Sequence, residues 1–127
     1  MTLKGISVAD ARAWASYVRA LRAEINQRKE AGELPDTLAA PELMHRLLVE
    51  VLTAIDELPP RRTATLRLPG GRALLVFAWY QSSVQEWADK RVAEGLLTTT
   101  RSEAADRFWT RIEQVSGLPV RRSAEAS

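Results

Sequence analysis

Pro69-Gly70-Gly71-Arg72-Ala73-Leu74-Leu75-Val76-Phe77-Ala78-Trp79-Tyr80-Gln81-Ser82-Ser83-Val84-Gln85-Glu86 is the stretch on which the fold turns. Residues 73–80 are apolar without a break, and two readings compete for them. They form a strand, or they open one long helix running to Glu94. Ala and Leu favour helix, whereas Val, Phe, Trp and Tyr favour strand. Ser83-Val84-Gln85-Glu86 fits a capping box, in which the hydroxyl and the Glu each satisfy an orphan N–H at a helix start. A helix beginning there leaves 73–80 as a strand. Just upstream, Thr63-Ala64-Thr65-Leu66-Arg67-Leu68 alternates polar and apolar, as a strand with one wet face does. With Pro69-Gly70-Gly71 as the turn, the sequence predicts a β-hairpin over 62–80.

Downstream of it, helices are expected at 84–94, closed by Gly95, and at 101–116, closed by Gly117 and Pro119. Thr100-Arg101-Ser102-Glu103 is a second capping box, and Ala105, Phe108, Trp109, Ile112 and Val115 form the last helix's core face. Upstream, Ala11, Trp14, Val18, Leu21 and Ile25 lay one stripe along a helix at 8–31, with Ser7 or Asp10 as its cap. Met44, Leu48, Val51, Ile55 and Leu58, widened by Leu47 and Leu52, mark a second helix at 41–58 that opens on Pro41. The short polar joint between them suggests an antiparallel pair. The fold class is therefore α+β and mostly helical: two N-terminal antiparallel helices, a central hairpin and two C-terminal helices. Residues 1–120 form a single domain, and 121–127 a flexible basic tail.

Composition agrees with one soluble domain: 127 residues, 46% hydrophobic and 27% charged. The net charge of +2 is unevenly spread, −2 over residues 1–60 and +4 over 61–127. A polyanion would meet the second half. There are no cysteines, which removes disulfides, thiolate nucleophiles and Cys-based zinc sites. No secretory signal is visible, and the eight-residue apolar run 73–80 falls far short of the roughly 20 residues of a membrane helix. The cytoplasm is the expected compartment, with no membrane contact.

The candidate nucleic-acid contacts are Arg61, Arg62, Arg67, Arg72, Arg101, Arg107, Arg111, Arg121 and Arg122. Arginine suits phosphate because its planar fork donates two parallel hydrogen bonds. The last two helices do not make a helix-turn-helix: the turn is too long, and with Ala88 as the small residue, Val92 stands where glycine is needed. Arg67 on the wet strand face serves equally well as edge protection. Trp14, Trp87 and Trp109 sit in helical stripes and are expected in the core. If 73–80 is a strand, Ala73, Leu75, Phe77 and Trp79 face one way and Leu74, Val76, Ala78 and Tyr80 the other. Both faces then need cover, so Leu75, Phe77, Trp79 and Tyr80 are the candidate contacts of a homodimer.

Catalysis finds little. His45 is the single histidine, no serine or carboxylate stands at useful spacing, and Glu42 with His45 offers only two metal ligands. Neither a cofactor nor a metal is expected. The sequence points to a small non-enzymatic binding protein, first as a DNA- or RNA-binding accessory or regulatory protein. The alternative is a homo-oligomeric structural or adaptor protein, such as a virion-assembly or scaffolding subunit, without nucleic-acid contact. One contiguous basic face favours the first; arginines paired with Asp and Glu favour the second.

Overall fold

A computed structural model describes residues 1–118 of the chain. The elements are β1 (Thr2–Ser7), α1 (Val8–Glu30), α2 (Glu42–Asp56), β2 (Thr63–Arg67), α3 (Gly71–Ala93) and α4 (Glu103–Ser116). The class is α+β, with four helices and a two-stranded antiparallel sheet. The expected tail, with Arg121 and Arg122, lies outside the described residues.

The hairpin is not formed. Residues 71–93 are one continuous helix, so 73–80 is no strand and no helix starts at 84. The reason lies in the polar residues that resemble a cap. Ser83 Oγ donates to the carbonyl of Trp79, 3.0 Å away and one turn back, a bond made within a helix rather than at its start. Gln85 Oε1 accepts from Trp14 Nε1 at 2.9 Å, and Ser82 Oγ accepts from Trp109 Nε1 at 3.0 Å. These side chains face inward with Leu74, Phe77, Ala78 and Ala88, which together trace one face at helical spacing. The true start is the glycine pair. Gly70 is the extended N-cap, and Gly71 takes φ +56°, a left-handed turn that costs a residue with a Cβ about 1–2 kcal/mol.

Strand β2 pairs instead with the N-terminus. Thr2 stands opposite Arg67, Leu3 opposite Leu66, Ile6 opposite Ala64 and Ser7 opposite Thr63. The register shifts between Leu3 and Ile6, where Gly5 has φ +67°, so both apolar residues turn inward although three positions apart. The Met1 ammonium donates to the carbonyl of Leu68, and the Leu68 N–H to the carbonyl of Met1, which extends the ladder. Thr63, Thr65 and Arg67 remain on the wet face, as the alternation of β2 requires.

Helix α1 is capped by Ser7, whose hydroxyl accepts from the Asp10 N–H. Its buried residues include Ala11, Trp14, Val18 and Leu21, and it packs against α4, α2 and β1. The α2 stripe from Met44 to Leu58 is buried throughout, although the helix itself ends at Asp56. Helix α4 is capped by Ser102, two residues beyond the expected Thr100, and closes on Gly117 at φ +85°. Trp14 stacks on Trp109 with centroids 5.2 Å apart and planes inclined by 7°, and Phe77 meets Trp109 edge-on. None of the described helices is long and apolar enough to cross a membrane.

Proline at position 83 separates the two readings of this segment. At a helix start Ser83→Pro would be mild; inside α3 it removes the bond to Trp79 and strikes the preceding turn. We expect a loss of about 3 kcal/mol or more in urea unfolding.

Candidate interaction surfaces

Arg101, in the loop just before α4, and Arg107 and Arg111 on α4, taken from the sequence as phosphate contacts, are engaged within the chain. Arg101 is held by Asp89 and Asp106, at 2.8 and 2.7 Å, beside the Tyr17 ring and hydroxyl. Burial alone would lower its pKa, but the two carboxylates and the Tyr17 hydroxyl raise it above the ordinary arginine value. Burial raises the Tyr17 phenol in turn, against the opposing effect of Arg101. Arg107 pairs with Asp10 at the start of α1, and Arg111 donates to the Lys4 carbonyl at the β1 bulge. Arg101 thus bridges α3 to α4, while Arg107 and Arg111 reach from α4 to α1 and β1.

The arginines around β2 behave differently. Arg61, Arg62, Arg67 and Arg72 are all exposed and make no ion pair among the described residues. Arg67 lies on the wet face of the sheet, and Arg72 lies in the first turn of α3. The nine candidates thus divide: three are engaged within the chain, four are open to solvent, and two lie outside the described residues.

The apolar run divides as well. Because it is helical, its faces repeat every three and four residues rather than every two. Leu74, Phe77 and Ala78 point into the core, and Phe77, at 1% exposed, is no surface residue. Tyr80 is half-buried, its hydroxyl donating to the Ala39 carbonyl at 2.6 Å. Leu75, Val76 and Trp79 point outward at 37, 44 and 57% exposure. Of the four expected interface residues, Leu75 and Trp79 share one outer face. Val76, which the alternating pattern assigned to the opposite side, joins them.

Trp87, expected in the core, is half-buried at the edge of a cleft of about 630 Å³ between α1, α2, α3 and the 37–40 connector. Its indole N–H reaches Asp36, which also accepts from Arg91. His45 lines the same cleft, its Nδ1 facing Arg22 at 2.9 Å. No group of three His, Cys, Asp or Glu among the described residues is placed to hold a metal ion.

Sequence reasoning gave no role to Glu24. Its carboxylate on α1 accepts four hydrogen bonds, from the N–H and the hydroxyl of both Thr98 and Thr99. It thereby ties down the loop between α3 and α4. Burial pushes this carboxyl up, but the Thr99 and Thr98 bonds outweigh burial and lower it from 4.5 to about 2. Only a tertiary contact brings these residues together, so no local pattern announces it.

Comparisons with protein families, with curated proteins and with solved structures found no match.

A carboxyl whose pKa is lower in the folded state stabilises fully above its unfolded value and loses that contribution on acidification. For Glu24 the window is pH 4.5 down to about 2. We expect Glu24→Gln to cost about 1–2 kcal/mol near neutrality. The gap between variant and parent should close across that window, as read by urea unfolding at stepped pH.

Proposed function

We propose that the chain is a non-enzymatic binding protein acting as a two-fold homodimer, a structural or adaptor subunit assembled through the outer face of α3. The observation that carries this reading is the exposed trio Leu75, Val76 and Trp79 on one helix face. A helix of a lone domain ordinarily turns such residues inward. The face also suits a second copy of itself, because a two-fold axis at Trp79 sets the same apolar side chains of both copies against each other, as an isologous contact requires. The arginine pairing supports the same ranking, since Arg101 and Arg107 are matched to Asp89, Asp106 and Asp10 within the chain. The reading also takes α1 and α2 as an antiparallel pair. Contacts of Arg12 with Leu58, Arg19 with Asp56 and Arg22 with His45 support that placement.

Two copies bring six half-exposed apolar side chains to the contact, about 1 kcal/mol each on full burial, and the surface around them has to supply the rest of a micromolar affinity. Sedimentation equilibrium at about 100 µM chain should therefore approach twice the 14.2 kDa chain mass. Trp79→Glu should return the monomer while leaving the thermal midpoint unchanged in dilute solution, where the parent is monomeric too, because Trp79 is mostly exposed. A parent protein that stays monomeric at that concentration overturns the dimer.

A second reading keeps nucleic acid as partner, favoured by Arg61, Arg62, Arg67 and Arg72, which make no ion pair among the described residues. Four phosphate contacts on duplex DNA give a slope of about −3.6 in log affinity against log salt. A titration with DNA and RNA that stays flat at low salt removes this reading.

A further inference from the structure

Three polar side chains are buried on α3: Gln81, Ser82 and Gln85. Ser82 and Gln85 accept from the indoles of Trp109 and Trp14. Gln81, only 5% exposed, has no hydrogen-bond partner among the described residues. An amide group carries two donor hydrogens and a carbonyl acceptor, and leaving them unmet away from water is costly. The amide is not sealed in the core, because no fully enclosed side-chain nitrogen or oxygen there lacks a partner. It opens on the cleft of about 630 Å³ that Gln81 helps to line.

That volume is in the range of small-molecule sites. The floor is apolar, from Val18, Leu21 and Ile25 on α1 and Met44 and Leu48 on α2. Lining positions on α1 run from Val18 to Lys29, about 16 Å along the helix, so the cleft is long enough for an extended chain. Arg22, Lys29 and His45 line it too, and no Asp or Glu does. Arg22 spends one N–H on His45 Nδ1, and its guanidinium retains others. The connector wall is held in place by Tyr80 bonding to Ala39 and by Arg91 pairing with Asp36.

We propose that this cleft binds a slender amphipathic carboxylate, its hydrocarbon chain on the apolar floor and its head met by Arg22 and the Gln81 amide. A guanidinium fork matches a carboxylate, and the amide hydrogens supply a donor that the protein leaves unused. Cationic ligands are disfavoured by Arg22 and Lys29. The site lies apart from the outer face of α3 and does not depend on the dimer.

Calorimetric titration of the full chain with decanoate, decanol and decyltrimethylammonium tests the assignment. Decanoate should bind saturably to one site, about tenfold more tightly than decanol, with decyltrimethylammonium failing to compete. Gln81→Leu should reduce the advantage of decanoate over decanol by about threefold or more, without lowering the thermal midpoint. Arg22→Gln, on the half-exposed rim, should reduce the same advantage and serves if the first variant does not fold. Absence of saturable decanoate binding, equal affinity for decanoate and decanol, or an advantage that survives the folded variants overturns the proposal.

Discussion

The structure depends on giving two buried indoles somewhere to put their N–H groups. Trp14 of α1 is fully buried, stacks on Trp109 of α4 and touches Phe108 at 5.3 Å. Such contacts add about 0.5–1.5 kcal/mol each beyond the area they bury. Both indoles also carry a donor that water cannot reach, and an unmet donor costs about 1–3 kcal/mol, as much as the stacking supplies. The acceptors come from α3, Gln85 for Trp14 and Ser82 for Trp109. Ser82 passes its own hydrogen to Glu113 on α4, which completes the chain of bonds. Three helices are thereby set in one register around one aromatic cluster. Residues 82 and 85 face the same way as 74, 77 and 78 only if the backbone between them is helical.

That constraint explains which parts of the fold were legible. The stripes of α1, α2 and α4 were readable because their apolar residues recur at intervals of three and four on an otherwise polar surface. The core of each helix fell where the stripe put it, except that Ile25 and Val115 at the stripes' ends are only partly buried. Helix α3 was not readable in this way. Its first half is apolar all round, so it carries no period, and its second half turns polar residues inward. Ser83-Val84-Gln85-Glu86 has the letters of a cap, but the acceptors its neighbours provide serve indoles more than fifty residues distant in sequence or on another helix. Strand β1 was hidden for another reason. Gly5 and the bulge place Leu3 and Ile6 on the same side at an odd spacing, which breaks the alternation that marks a strand. The wet face of β2 was read correctly while its partner was not, because alternation states which face is buried and says nothing about the neighbour.

Charge was misleading in a comparable way. The +4 of the second half counts every arginine equally, yet a count cannot tell a fastener from a free cation. Arg101 draws on Asp89 from α3 and Asp106 from α4, and Arg107 on Asp10 from α1. The acidic residues interleaved with the arginines in sequence were a sign of this, since a local excess of one charge rarely survives folding when opposite charges stand within a turn or two. Exposed pairs such as Arg107 with Asp10 contribute little to stability. The half-buried Arg101 is different, because its guanidinium spans two helices and lies over the Tyr17 ring. The set around β2 differs again, because no carboxylate on the strand or turn lies beside it in sequence.

Helix α3 therefore reverses the usual disposition along part of its length, with glutamines and a serine inside and leucine, valine and tryptophan outside. A buried polar group and an exposed apolar one are the two informative departures from ordinary burial. On the inner face the reversal has a structural cause for Ser82 and Gln85, since each answers an indole. Gln81 has no hydrogen-bond partner among the described residues. On the outer face, Trp79 does no work for the core, and its neighbours one turn earlier, Leu75 and Val76, share that exposure. Both remnants lie within the same three turns of one helix, on opposite sides of it. On the proposed reading the two have separate causes, a second copy against the outer face and a ligand head at the Gln81 amide, so each can be removed by substitution without disturbing the other.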